Sequence, residues 1–104
     1  MSDQDLTALL PPIHPGEILR DEFLVPLEMS AGALAKKLNV PRTRIERLIA
    51  EQTAVTPDTA LRLAKFFDMT PQFWMNLQVG YDLKIAAKAK AAELADIPVL
   101  STAA

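Results

Sequence analysis

The chain has 104 residues, half of them apolar, which leaves room for one compact domain with a small core. It holds no cysteine and a single histidine, His14, so disulfides, thiolate metal sites and multi-histidine centres lack ligands, and neither a metal nor a cofactor is expected. A net charge of −2 counts against a nucleic-acid partner only until its distribution is read: residues 30–50 carry Lys36, Lys37, Arg42, Arg44 and Arg47 against the one acid Glu46, while Asp3, Asp5, Glu17, Asp21, Glu22 and Glu28 gather before them.

Residues 1–13 begin with Asp3 and Asp5 rather than with a basic stretch and an apolar run, so they read as a flexible segment and not as a secretory signal. No run is long enough to span a bilayer, so no membrane contact is expected and the expected compartment is the cytoplasm. Proline marks the helix starts, because at the first helical position it has no amide to waste and a preset φ. Pro15, Pro41, Pro57 and Pro71 fit that role, and Ser30, Thr56 and Thr70 are N-cap residues. The predicted helices are Pro15 to Val25, Ala31 to Leu38, Pro41 to Ala50, Pro57 to Phe67, and Pro71 to about Ala95.

Each helix carries a narrow apolar stripe at helical spacing: Ile18, Leu19 and Phe23; Leu34, Ala35 and Leu38; Ile45, Leu48 and Ile49; Ala60, Leu61, Ala64 and Phe67. In the last helix Phe73, Trp74, Leu77 and Tyr81 follow at three- and four-residue steps, with Met69, Met75 and Val79 adding apolar area. Phe73 and Trp74 are assigned to the core. Leu77, Tyr81, Ile85 and Ile97 are the expected dimer contacts. Nothing alternates with period two, so the expected class is all-α, five helices with the last one extended. Ile97 to Leu100 could pair as a short edge strand in a dimer. Residues 14–80 are read as the domain proper and 81–104 as a dimerising helical extension and tail.

The second and third predicted helices are joined by Leu38-Asn39-Val40-Pro41, the short connection of a helix-turn-helix, whose second helix enters the DNA major groove. Asn39 tolerates the left-handed conformation needed to leave the first helix, and Val40 can turn inward. If Ile45, Leu48 and Ile49 face the core, then Arg42, Thr43, Glu46 and Arg47 face out. Arg42, Thr43 and Arg47 are the expected base readers, by bidentate donation to guanine and contact with a thymine methyl. Glu46 can accept from cytosine, but its expected role is to orient an arginine. Paired arginines at a helix start oppose the helix dipole, a conflict that an external anion relieves. Ser30 with the amides behind it, Lys36, Lys37, Arg44 and Thr53 are the expected phosphate contacts. A merely solvated surface helix is the alternative.

Five segments then stand out as a series: His14-Pro15-Gly16-Glu17-Ile18-Leu19, Ala33-Leu34-Ala35, Val40-Pro41-Arg42-Thr43-Arg44-Ile45, Thr56-Pro57-Asp58-Thr59-Ala60-Leu61-Arg62-Leu63-Ala64, and Phe73-Trp74-Met75-Asn76-Leu77-Gln78. Together, over about residues 13–86, they resemble the HigA family of antitoxins, a branch of the lambda-repressor-like (XRE-type) helix-turn-helix proteins. The resemblance implies a homodimeric repressor that binds double-stranded DNA at a palindromic operator of its own operon. It also implies a second partner, a HigB toxin, which is a RelE-like ribonuclease acting on mRNA at the ribosome.

The chain departs from that pattern twice. After the reading helix it has Ala50-Glu51-Gln52-Thr53-Ala54 where many relatives have an Asn-Gly-like turn, and Ala31-Gly32 stand where a backbone-clamping glutamine is common. The acidic face of Glu17, Asp21 and Glu22 and the alanine- and lysine-rich stretch from Ile85 to Glu93 are both open as toxin contacts. Two rival readings are a free-standing phage-type or cellular repressor without a toxin, and a toxin-sequestering module without DNA binding. An enzyme is not expected, because His14, next to a proline, reads as a capping or packing residue and no nucleophile or paired carboxylates accompany it.

Overall fold

The computed structural model describes residues 10–101, so Asp3, Asp5 and most of the first predicted segment lie outside the described residues. Within them the chain is all-helical, in six helices. The first, α1, begins as Pro15–Ile18, widens into a π-helix over Leu19–Leu24 and closes as Val25–Leu27. Then come α2 (Ala31–Leu38), α3 (Arg42–Ile49), α4 (Pro57–Phe67), α5 (Pro71–Ala89) and α6 (Ala91–Ala95).

His14 starts α1 from extended backbone, and its Nδ1 accepts from the Gly16 amide at 2.9 Å. It is buried and meets the Tyr81 ring edge-on at 4.9 Å, so the capping and packing roles coincide. The sequence predicts that α1 stops at Val25, yet it runs to Leu27 with Pro26 inside its last turn. The π segment explains this: the Val25 amide reaches back five residues to Arg20, and the wider turn accommodates a proline that has no amide to donate.

Two start signals work differently from the prediction. Pro41 is not the first residue of α3 but its cap, in extended backbone with no side-chain hydrogen bond. Thr70 caps α5 by position only, whereas Ser30 and Thr56 accept from Ala33 and Thr59 at 3.1 and 3.3 Å. Four helices end on a left-handed residue, Glu28, Asn39, Glu51 and Asp68, none of them glycine. In each case the following amide bonds back five residues along the chain, as from Val40 to Ala35 at 3.0 Å and Gln52 to Arg47 at 2.9 Å.

The core is built from Leu19 and Leu24 of α1, Leu34, Ala35 and Leu38 of α2, Ile45 and Leu48 of α3, Ala60 and Leu63 of α4, Val55 and Trp74. Burying each of the larger side chains contributes about 1.5–3 kcal/mol relative to leaving it in water. Trp74 is fully buried, with Phe23 and Phe73 rings both at 5.1 Å, whereas Phe73 itself stays partly exposed. Two expected core residues lie outside it: Phe73, which is exposed beside Trp74, and Leu61, which is 60% exposed, with Leu63 the buried residue of that helix. Ala60, Leu63, Ala64 and Phe67 share the inner face, and Leu61 falls about 100° off it.

The last predicted helix is interrupted at Lys90, where φ −107 and ψ 13 separate α5 from α6. Every described residue from Ile85 onward is exposed, so no packing holds this stretch to one straight helix. No strand forms at Ile97–Leu100. The projecting end gives the molecule extents of 59 × 23 × 23 Å and a radius of gyration of 17.3 Å, against about 13 Å for a compact domain of this length.

A Cβ on Gly16 would stand 1.8 Å from the carbonyl oxygen of Leu48, so α1 and the last turn of α3 touch backbone to backbone. Gly80, in the middle of α5, has open space at the same position. In urea unfolding, Gly16→Ala is expected to lose about 1–3 kcal/mol or more through forced displacement. Gly80→Ala is expected to gain about 0.5–1 kcal/mol through helix propensity.

Candidate nucleic-acid interface

The two helices of the helix-turn-helix are α2 and α3. Asn39 takes φ 58 and ψ 46, which turns the chain, and Val40 folds back against the core. Ile45 and Leu48 are fully buried and Ile49 partly so, which fixes the roll of α3. Pro41, Arg42, Thr43, Arg44, Glu46 and Arg47 are consequently all exposed on one open face. Arg42 is 72% exposed and lies 3.6 Å from Glu46 one turn on, an exposed pair that leaves its guanidinium available to an outside partner. Gly32 gives it room: a Cβ there would come within 3.1 Å of the Arg42 side chain.

Thr43, Arg44, Arg47 and Thr53 line one shallow concavity together with Thr56 and Asp58. Lys37 lines a neighbouring one with Arg62 and Lys65, and Lys36 is exposed at the end of α2. Ser30 uses a lone pair on the Ala33 amide, which leaves its hydroxyl proton free for a phosphate oxygen. Of the expected dimer contacts, Leu77 packs partly on the chain's own core and Tyr81 rests on His14, whereas Ile85 and Ile97 are exposed.

Four residues that sequence reasoning did not single out hold this surface in place. Arg20 of α1 donates to the Ile49 carbonyl at 2.8 Å and pairs with Asp21 and Glu51 at 2.9 and 3.4 Å, placing a cation on the end of α3. Its hydrogen bond to Asp21, with a smaller contribution from Glu51, raises the Arg20 pKa above its ordinary value. Arg62 of α4 does the same for α2, donating to the Leu38 carbonyl at 2.8 Å. Asp58 accepts from Arg44 and, at 3.0 Å, from Arg62. Gln78 of α5 is buried and accepts from the Val55 amide at 2.7 Å while donating to Asp82 at 2.9 Å, so it anchors the loop after α3. Of these contacts, Arg20–Asp21, Asp58–Arg62 and Gln78–Asp82 join residues one or four apart. The contacts that hold the surface in place across the fold join residues 14 to 31 apart in sequence.

The helix-turn-helix family profile (HTH_3) matches residues 21–74. The chain is similar to antitoxin HigA of Pseudomonas aeruginosa, solved with the higBA promoter: 44% identity, a TM-score of 0.84, 86% of this chain and 99% of that one. It is 52% identical over 81 residues to virulence-associated protein I of Dichelobacter nodosus, covering 78% of this chain and 75% of that protein. It is 43% identical over 72 residues to an uncharacterised HTH-type transcriptional regulator of Haemophilus influenzae, covering 69% and 67%. The first of these is named as an antitoxin and the third as a transcriptional regulator, neither as an enzyme, as the sequence predicts. Among the described residues no helix is long and apolar enough to cross a membrane.

Removing the Gln78 side-chain oxygen orphans a buried amide. Gln78→Leu is expected to lose about 1–3 kcal/mol in denaturant unfolding, with faster amide exchange at Val55. The hydrogen bonds from Arg44 first and Arg62 second hold the Asp58 carboxyl below its ordinary pKa. The folded-state pKa is depressed, so the stability it brings is fully present above the ordinary carboxylate range and is lost as pH falls through the lowered value. An NMR pH titration of the Asp58 carboxyl should show that downward displacement, and Arg44→Ala should reduce it.

Proposed function

Because the chain belongs to the HigA family of helix-turn-helix proteins, we propose that it is a transcriptional repressor that binds its own operator as a homodimer and acts as the antitoxin of a RelE-like, mRNA-cleaving toxin. The observation that carries the DNA half is the open face of α3, where Arg42, Thr43, Glu46 and Arg47 all point away from a core that fixes their direction. In this reading Arg42 and Arg47 donate to guanine edges, Thr43 meets a thymine methyl, and Glu46 steadies Arg42. Ser30, Lys36, Lys37 and Thr53 hold phosphates on either side, with Arg44 beside them within reach of a phosphate when it leaves Asp58, which positions the helix without choosing the sequence.

A dimer places two such helices in successive major grooves about 34 Å apart, which calls for a palindromic site. We place the partner copy on α5, where Val79 and Leu83 are exposed apolar residues on the outer side and Ile85 is exposed beyond the core on the opposite side, and on the extension over residues 81–104. The toxin half rests on similarity to a HigA antitoxin, and its natural compartment is the cytoplasm. The second reading, a free-standing regulator without a toxin, draws on the similarity to an HTH-type regulator that bears no antitoxin name.

The test is binding to the protein's own upstream promoter fragment. Arg42→Ala should cost on the order of 1–3 kcal/mol and relax one base position, whereas Lys36→Ala should weaken all sequences alike. The Arg42→Ala/Arg47→Ala double variant should lose specific binding altogether. Equal behaviour of Arg42→Ala and Lys36→Ala across operator variants would refute α3 as the reading helix. Co-purification with the product of the neighbouring gene separates antitoxin from free-standing regulator.

A further inference from the structure

Asp58 is an acid set into a basic face. It lies in the first turn of α4, where a carboxylate is favoured by the helix dipole, and that alone accounts for its presence there. It does not account for Arg44. That arginine belongs to α3, fourteen residues away in sequence, yet its guanidinium turns to the Asp58 carboxylate and makes no other ion pair among the described residues. The same oxygen, Oδ2, also accepts from Arg62, whose second donor is occupied by Leu38. Asp58 is 54% exposed and shares the concavity of Thr43, Arg47 and Thr53, so it stands where DNA would approach.

We propose that Asp58 is a specificity-determining residue, an internal competitor that occupies Arg44 in place of a DNA phosphate and so lowers affinity for non-cognate duplex. This rests on the DNA-binding reading given above. Binding without sequence preference comes almost entirely from phosphates neutralised by lysine and arginine, so each masked arginine subtracts from it directly. At the operator the base contacts from α3 fix the docked position, so an unmasked Arg44 reaches a phosphate only where that position allows, whereas on a non-cognate duplex nothing fixes the register and the freed arginine settles on whichever phosphate lies nearest. Asp58 is a positioning group here, since it acts through Arg44 rather than by touching a base.

The experiment compares the full-length wild type, Asp58→Asn and Asp58→Glu on the protein's own upstream promoter fragment and on a scrambled duplex of equal length, between 50 and 200 mM salt. Asp58→Asn is expected to bind the scrambled duplex about three- to tenfold more tightly at low salt. Its plot of log K against log salt should steepen by roughly 0.9 for each added phosphate, about twice that for a dimer. Operator affinity should rise less, so the specificity ratio falls. Asp58→Glu should return both readings toward wild type, and Arg44→Ala in the Asp58→Asn background should abolish the gain. Thermal unfolding checks that the variants are folded, and Asp58→Ser replaces Asp58→Asn if the latter is not. A purely structural clamp would instead lower operator affinity and leave the scrambled-duplex slope unchanged, which overturns the proposal while the DNA-binding reading stands. If neither wild type nor variant binds any duplex, the DNA-binding reading falls, and the mask falls with it.

Discussion

The orientation of α3 depends on its contact with α1. An eight-residue helix is far below the length at which helices persist alone in water, and α3 lacks a side-chain cap at its start. Its first turn projects into solvent, so it must be fixed from the other end. There, Gly16 brings the α1 backbone against the Leu48 carbonyl, and Arg20 takes the next carbonyl, that of Ile49. Burial of Ile45 and Leu48 sets the roll of the helix, and this backbone contact sets its axis. The capping histidine belongs to the same arrangement, because His14 holds the Gly16 amide and packs on Tyr81 of α5. Two other helices thus support the base of the reading helix, α1 directly and α5 through His14.

The end of α3 also shows how the chain manages without the expected glycine. Glu51 adopts φ 62, a conformation that costs an ordinary residue roughly 1–2 kcal/mol. A carboxylate there also faces the negative end of the helix dipole. Arg20 answers the second of these, standing between the Ile49 carbonyl and the Glu51 carboxylate. The arginine on α1 and the acid after α3 are therefore one device, and the departure from the family's Asn-Gly-like turn is compensated from another helix.

The first four helices, their order and most boundaries were legible in the sequence because each rests on neighbours within four residues: proline starts, Ser30 and Thr56 caps, apolar stripes. The outward face of α3 followed from the same periodicity once Ile45 and Leu48 were placed inside. The misreadings occur where the local signal is ambiguous or overridden. Leu61 and Leu63 are equally apolar, and only the packing of α4 distinguishes them. The expected end of α1 at Val25 is overrun, because a π turn carries the helix past Pro26. The alanine-rich end has strong helix propensity but nothing to bury, and it breaks at Lys90. The supporting residues Arg20, Arg62 and Gln78 were not legible, since their meaning lies in partners brought near only by the fold.

Charge is organised on the same principle. The chain is acidic overall, and an acid even sits within the basic concavity, yet the face of α3 keeps Arg42 and Arg47 free of any strong internal commitment. Arg20 and Arg62 are spent on helix ends, and Arg44 is held by Asp58. Of the arginines around the helix-turn-helix, the ones at the rim of the fold build it, and the ones at the centre of the exposed face remain available. That division follows from geometry. A guanidinium within reach of an unsatisfied backbone carbonyl gains more there than in water, and the outward turns of α3 offer no such carbonyl. Specific contact is thereby left to the few residues whose direction the core has already fixed.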